Sequence, residues 1–158
     1  MNSQLRKRTL RLLSNGVYVI TSSDGSGYGA ATTTWVSQAS FKPPLVMAAI
    51  RPTSNVFKCL VESRAAAVHI LDCSQQALAQ RFFSPTKVSG NTINGESFVP
   101  GLTRVPILES ARAYFECVVR HIFRQGDHAI VLMEVIDAQC RGDVRPLTIA
   151  SSPWEYGG

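Results

Sequence analysis

The chain has 158 residues, which is about the length of one domain, and 45% of them are apolar, which excludes a disordered protein. Lys and Arg number 16 against 11 Asp and Glu, a formal net charge of +5. Because no segment interleaves basic and aromatic residues, we expect no nucleic-acid partner, although a small phosphorylated ligand fits this charge.

The first predicted element is a short N-terminal helix. Leu5, Thr9, Leu12 and Leu13 fall on one helical face, and Gly16 stands where such a helix would end. The polar residues before Gly16 also interrupt the apolar run behind the basic residues, so that run is too short for an export signal.

Strands dominate the rest of the chain. Short apolar runs and alternating apolar and polar residues, separated by turn residues, predict them. In chain order they are Val17–Ser22, Tyr28–Trp35, Leu45–Ile50, Ala65–Leu71, Tyr114–Arg124, His128–Gln139 and Pro146–Ala150. Two short helices are predicted between them, one capped by Thr53 or Ser54 and one by Ser74. Residues 84–106 are rich in Gly, Pro, Asn and Ser and predict a long loop, functional or mobile.

This order of elements predicts a mainly β fold, a closed antiparallel barrel with flanking short helices. Strict alternation in Tyr114–Arg124 is typical of a half-buried strand. Its buried face would carry Phe115, Cys117, Val119, His121 and Phe123. His69 lies in a similar apolar pattern, so we expect His69 and His121 in the core or an interface.

The four cysteines lie far apart and form no C-x-x-C pair, which argues against a zinc site. Their apolar neighbours are typical of buried free thiols. We therefore expect a protein of the reducing cytoplasm, without a membrane span.

An uncharged run of hydroxyl-bearing residues, Ala31–Phe41, is the first candidate binding segment. On spacing alone, a polar edge strand is the simpler interpretation, because threonine suits strands. The alternative is a wall of short hydroxyls and one indole that hydrogen-bonds the edge of a flat heteroaromatic ring.

Arg51, Ser54 and Asn55 surround the start of a predicted helix. A guanidinium, a hydroxyl and free helix amides together can bind a phosphate. An ordinary helix cap beside a solvated arginine explains the same residues.

Two further candidates are Lys87, in the predicted long loop, and His128, after the turn residues Gly126 and Asp127. Lys87 could add a second positive charge to an anion site, although a lone loop lysine is ordinarily solvated. His128 is the titratable residue that the turn does not explain, although a single histidine after a turn is more often structural than catalytic. The sequence has no G-x-S-x-G, no Cys–His arrangement and no clustered Asp/Glu pair. An enzyme with this sequence would therefore rely on a bound cofactor.

Several ordered motifs give the chain a resemblance to a known family. The run Thr32–Val46, the Gly126-Asp127-His128 turn before an apolar strand, and the following Pro146-Leu147 resemble the flavin reductase-like proteins, which are FMN-binding split barrels. The ending W-x-Y-G-G, residues 154–158, is similar to that of one branch of this family.

The resemblance implies one flavin reductase-like domain spanning residues 1–158, a homodimer, and an NAD(P)H:flavin oxidoreductase with FMN as flavin and NADH or NADPH as co-substrate. It implies that Thr32, Thr33, Thr34 and Trp35 line the isoalloxazine and ribityl chain. The residues implied to hold the phosphate are Ser37, Gln38, Arg51, Ser54 and Asn55. Phe83 and Lys87 would close the site from the long loop, and His128 would be catalytic, near the flavin or the nicotinamide.

The sequence departs from the common family pattern at residues 148–154, which replace a tyrosine- and arginine-bearing end, so the nicotinamide preference stays open. Two alternatives also stay open. One is a protein that retains FMN and takes electrons from a protein partner, and the other is a non-catalytic barrel that binds a phosphorylated ligand. In the reductase interpretation, the reduced flavin would stay bound or pass to a monooxygenase.

Overall fold

The computed structural model describes residues 1–157, so Gly158, the last residue of the W-x-Y-G-G ending and of the predicted domain, lies outside the described residues. Its helices are α1 (Ser3–Leu10), α2 (Asn55–Ser63) and α3 (Gln76–Arg81). Its first strands are β1 (Tyr18–Ser23), β2 (Tyr28–Thr33), β3 (Val36–Ser40), β4 (Leu45–Ile50) and β5 (Ala65–Ile70). The later strands are β6 (Val88–Ser89), β7 (Thr92–Ile93), β8 (Glu96–Pro100), β9 (Pro106–Leu108), β10 (Ala113–Arg124) and β11 (Ala129–Cys140).

Seven antiparallel strands form the main sheet in the order β2-β1-β5-β10-β11-β4-β3. The two edge strands, β2 and β3, are consecutive in the chain and are joined only by Thr34 and Trp35. Because two residues span only about 7 Å, the edges must meet at this point, and the sheet must curl into a barrel. The edges do not pair with each other, so the barrel is split there. This confirms the predicted mainly β split barrel with few short helices.

The barrel interior holds the main hydrophobic core, and α2 covers one end of it. Ile20, Val68 and Met133 from three strands pack with Phe57 and Leu60 of α2. Full burial of each such side chain contributes about 1.5 to 3 kcal/mol. A second hydrophobic cluster contains Leu78 and Ala79 of α3 and Phe82, the residue that follows this helix.

Local sequence explains the position of α2. The Ser54 hydroxyl accepts a hydrogen bond from the Phe57 amide at 3.3 Å, which confirms the predicted cap. The helix ends at Arg64, whose φ of 58° lies in the left-handed region. Gly29 of β2 lies so close to the backbone of Asn55 and Val56 that a Cβ atom there would overlap it. Glycine therefore allows the start of α2 to contact the sheet.

The alternation predicted in β10 is wrong beyond Val119, because the strand holds an extra residue there. The register with β11 shifts between Val119 and His121, which leaves Arg120 without a partner residue on β11. This extra residue turns His121 and Phe123 to the other face of the strand, where both are exposed. Glu116 lies before this irregularity and is buried.

Glu116 tolerates burial because its carboxylate accepts hydrogen bonds from neighbouring donors. The Leu102 amide donates to it at 2.8 Å, and the Thr103 amide and hydroxyl donate at 2.9 and 2.8 Å. A buried carboxylate requires such partners. His69 is buried as predicted, between the Val19 carbonyl and the Leu108 amide.

Several predicted boundaries are wrong. Residues 84–106 are not a plain loop, since they contain most of a small sheet formed by β6 to β9. Pro146–Ala150 is not a strand, because its backbone is held by single bridges to Asp72 and Gly16. Gly16 forms the bridge with Thr148 and does not end α1, which stops at Leu10.

Three further features differ from the predictions. Residues 3–10 of α1 are all exposed, so its predicted apolar face has no partner within the described chain. Ser74 does not cap α3, since its hydroxyl donates to Asp72. All four cysteines are free, but Cys140 is exposed, unlike the expected buried thiol. No helix among residues 1–157 has the length and apolar character needed to cross a membrane.

Candidate functional site

A cleft of about 650 Å³ opens where β2 runs into β3, at the split in the barrel. A volume of this size suits a small organic ligand, for which pockets of about 300 to 1,000 Å³ are usual. Among the predicted site residues, its lining includes Thr32, Thr33, Thr34, Trp35, Arg51, Ser54, Phe83 and His128. The fold thus brings together residues from four separate parts of the chain.

The remaining predicted residues lie outside this cleft. Ser37 and Gln38 are exposed on β3 and line a second, mainly apolar groove beside Tyr18 and Phe115. Asn55 is exposed at the first position of α2, next to the cleft but not in its lining. The Lys87 backbone amide donates to the Asn94 side chain at 2.7 Å, and Lys87 is exposed.

Thr32 and Thr34 form the hydroxyl wall of the cleft. The Thr32 hydroxyl donates to the Ala79 carbonyl at 2.6 Å, which ties β2 to α3. The Thr34 hydroxyl is different, because it is buried and has no hydrogen-bond partner among the described residues. An unsatisfied buried hydroxyl costs about 1 to 3 kcal/mol, so a polar atom of a ligand in the cleft would stabilise it.

Arg51 and the start of α2 give another part of the lining a positive potential. Arg51 directly follows β4, and the Ser54 hydroxyl donates to its carbonyl at 2.8 Å. The amides of the first turn of α2 and the guanidinium of Arg51 are the donors that an anion prefers. This part of the cleft can therefore bind a phosphate group.

His128 connects the cationic and aromatic parts of the cleft. Its Nδ1 lies 2.9 Å from the Asp127 carboxylate, and its Nε2 lies 3.4 Å from the Arg51 Nε. The hydrogen bond from His128 is the largest cause that lowers the pKa of the exposed Asp127 below its usual range. The Asp127 carboxylate accepts a hydrogen bond from the Nδ1–H of His128, which leaves the Nε2 lone pair directed at the Arg51 N–H. The imidazole also lies edge-to-face against Trp35, with ring centroids 4.9 Å apart.

Sequence reasoning missed one wall of the cleft, residues Pro153–Tyr156. The backbone leading to it is held by hydrogen bonds from the Cys73 amide to the Arg145 carbonyl and from the Val17 amide to the Leu147 carbonyl. The Arg145 amide in turn donates to the Asp72 carboxylate at 3.0 Å. The aromatic residues of W-x-Y-G-G were the available signal, but sequence alone gave no reason to place them beside Trp35.

No group of three or more His, Cys, Asp or Glu side chains in residues 1–157 is arranged to hold a metal ion. The lining of the cleft is dominated by apolar and hydroxyl-bearing side chains, with Arg51, His128, Glu155 and Tyr156 as the titratable groups. Such a lining can bind and orient a ligand.

Comparisons with known proteins show the family of the chain. A family profile described as "Flavin reductase like domain" matches residues 10–153. The diflavin flavoprotein A 1 of Synechocystis sp. is 30% identical over 140 residues, which cover 88% of this chain and 24% of that protein. The FMN reductase (NADH) RutF of Pseudomonas syringae pv. syringae is 27% identical over 79% of this chain and 70% of its own length.

A solved structure supports the same fold. The Streptomyces globisporus C-1027 NADH:FAD oxidoreductase SgcE6 superposes with a TM-score of 0.78 and 26% sequence identity. The match covers 92% of this chain and 81% of that chain. The chain therefore spans about a quarter of the diflavin flavoprotein and most of the two reductases.

Proposed function

Because the chain belongs to the flavin reductase-like family, we propose that it is a flavoprotein oxidoreductase that reduces FMN with NADH or NADPH. The observation that carries the proposal is the composition of the cleft. An uncharged wall with an unpaired Thr34 hydroxyl continues through Trp35 and His128 to Arg51 at the start of α2. A flat polar ring joined to a phosphate matches this order of groups.

The residues of the cleft fit a flavin mononucleotide. Arg51 and the first amides of α2 would hold the phosphate. The Thr34 hydroxyl would bond a polar atom of the ring edge, which would satisfy the hydroxyl. Thr32 and Thr33 would line the ribityl chain and ring, and Phe83 would close one side.

Each residue has a role in the reaction that follows from its contacts. A bound flavin supplies a ring that accepts hydride at N5 from the C4 of a reduced nicotinamide. Trp35 and the apolar lining exclude water from the reacting rings, and the wall aligns them. Asp127 keeps the proton of His128 on Nδ1, so the Nε2 lone pair faces Arg51 and keeps the guanidinium beside the start of α2.

Ser37 and Gln38 fit the proposal through a homodimer. They line an apolar groove that is separate from the cleft, and Met47 and Ile130 on β4 and β11 are exposed. A second copy that covers this face would bury those side chains and bring Ser37 and Gln38 near a cleft. Light scattering of the purified protein tests the dimer, and a monomer at micromolar concentration would contradict it.

A carrier that retains FMN is the second candidate, favoured by the match to about a quarter of a diflavin flavoprotein. In this case a protein would deliver electrons, and no nicotinamide would be needed. A monooxygenase that uses the reduced flavin is the corresponding partner of a reductase.

One assay separates the two candidates. Purified protein is mixed with FMN and with NADH or NADPH, and nicotinamide absorbance is followed against a blank without protein. A reductase oxidises the nicotinamide above the blank, and the Arg51→Ala variant loses most of this activity at limiting FMN. Lys58→Ala is the matched control, because it removes an exposed positive charge from α2, the helix that follows Arg51. Binding of FMN without oxidation would contradict the reductase and support the carrier.

A further inference from the structure

Residues 153–157, here called the strap, cross the cleft from one wall to the other. The Trp154 ring lies edge-to-face against Phe83, with centroids 5.1 Å apart. The Tyr156 ring lies against Trp35 in the same manner at 5.5 Å. Phe83 follows α3, whereas Trp35 joins β2 to β3. The strap therefore connects two walls that are formed by distant parts of the chain.

Arg11 anchors the strap from outside the cleft. Its Nη1 pairs with the Glu155 carboxylate at 2.7 Å, and its Nε donates to the Gly157 carbonyl at 3.0 Å. The φ of Gly157 is 90°, a conformation that glycine adopts without strain, and in it the carbonyl faces Arg11. Arg11 is itself fixed as the residue after α1, with its amide bonded to Lys7.

The contacts place the aromatic residues of the strap beyond the phosphate-binding residues. Arg51 contacts His128, His128 contacts Trp35, and Trp35 contacts Tyr156. Two rings thus separate Arg51 from Tyr156 along this path. A ligand whose phosphate lies at Arg51 would therefore place a part other than the phosphate beside Tyr156.

The charge of the strap supports the same assignment. Glu155 is the one carboxylate in the cleft lining, and Arg11 pairs with it. Pairing offsets a negative charge that would repel a phosphorylated ligand at the cleft mouth. Arg11 therefore both fixes the strap and keeps the cleft favourable for an anion.

We propose that Tyr156 and Trp154 form the face of the site that packs against the flavin ring, and that Arg11 is the positioning residue for this face. The inference rests on the proposed function, because it specifies how the same cleft recognises the ring. Aromatic side chains stack on flat heteroaromatic rings, and this contact requires no charge on the ligand.

The test is a titration of the purified protein with riboflavin and with FMN, followed by quenching of flavin fluorescence. Tyr156→Ala is expected to weaken the binding of both flavins to the same extent, by about 5- to 100-fold, as for loss of a stacking ring. Tyr156→Phe keeps the ring and should bind like the wild type. Tyr156→Leu, which keeps apolar bulk without a ring, gives the same loss and serves if the alanine variant does not fold.

Arg11 is tested in the same titration. Arg11→Ala is expected to weaken both flavins by roughly 2- to 5-fold, since the ion pair is largely exposed at Glu155. Arg11→Lys should restore part of this loss. Arg8→Ala removes an exposed charge from α1 and should leave both affinities unchanged. An unchanged ratio of FMN to riboflavin affinity distinguishes a role at the ring from a role at the phosphate.

Two results would overturn the assignment. Tyr156→Ala leaves riboflavin affinity unchanged, with or without a loss of FMN affinity, or Tyr156→Ala raises riboflavin affinity. A gain in affinity would mean that the strap competes with the ligand for the cleft. A wild-type protein that binds neither flavin overturns the proposed function, and this inference with it. Normal wild-type binding with unaffected strap variants overturns only the inference.

Discussion

Mild acid should destabilise the protein through His69. The side chain is fully buried, its Nε2 accepts from the Leu108 amide at 3.0 Å, and its Nδ1–H donates to the Val19 carbonyl at 3.0 Å. Only the neutral imidazole can make both bonds. Burial is the main cause that lowers the pKa of His69 from 6.5 to about 4.

The sign and size of the effect follow from this lowered pKa. Between pH 6.5 and pH 4 the unfolded chain binds a proton at His69 that the folded chain does not bind. The free energy of unfolding therefore falls as the pH falls through this window. At about 1.4 kcal/mol per pH unit, the loss amounts to about 3 kcal/mol.

Urea unfolding of the wild type and of His69→Gln at several pH values measures this loss. Glutamine keeps an N–H donor and a carbonyl acceptor but does not titrate. Because it replaces a fully buried ring with a side chain of another shape, the variant should be less stable than the wild type at pH 7. The stability difference between the two proteins should shrink by about 3 kcal/mol towards pH 4. The hydrogen bond from Ser74 is the largest cause that lowers the pKa of Asp72 below its ordinary value of 3.8. The stability that Asp72 contributes is therefore lost only as the pH falls below about 3.8, outside the window in which His69 acts. A difference that stays constant from pH 7 to pH 4 would refute the reasoning.

Three further variants test the cleft and its frame. Arg51→Ala should weaken FMN binding by about 1.5 to 3 kcal/mol and leave riboflavin binding unchanged, as measured by fluorescence titration, with Lys58→Ala as control. Thr34→Val should raise the free energy of unfolding without ligand by about 1 to 3 kcal/mol, because it removes an unpaired buried hydroxyl, and should weaken flavin binding. A less stable Thr34 variant would contradict this. Gly29→Ala should lower the unfolding free energy by about 1 to 3 kcal/mol by overlap with α2, whereas Gly27→Ala should change little, because its Cβ would make only an ordinary van der Waals contact with the Asp24 side chain. Equal stability of both glycine variants in thermal unfolding would show that α2 can move away from β2.

The strands of the barrel could be predicted from the sequence because their patterns are local. Leu45–Ile50 was predicted with the boundaries that the structure has, since a short apolar run bounded by prolines has few alternatives. The cap at Ser54 followed from the same kind of local chemistry. The hydroxyl run up to Trp35 could be predicted as a candidate binding segment because it combines many hydroxyls with no charge, and Thr32–Trp35 line the cleft.

The rest depends on contacts between distant residues. A bulge after Val119 is invisible to a pattern of period two, so His121 was assigned to the wrong face. The strap was missed because its contacts with Phe83, Trp35 and Arg11 join positions far apart in the chain. Pro146–Ala150 was predicted as a strand, but isolated bridges satisfy its backbone instead of a ladder.

A crystal structure of the protein soaked with FMN decides whether this cleft is a flavin site. The account predicts one edge of the ring at the Thr32–Trp35 wall, with a ring atom bonded to the Thr34 hydroxyl, and one face of the ring against Tyr156, which leaves the other face for the nicotinamide. It predicts the phosphate at Arg51 and the first turn of α2. FMN bound elsewhere, or a cleft filled by the protein's own side chains in the presence of saturating FMN, would contradict it.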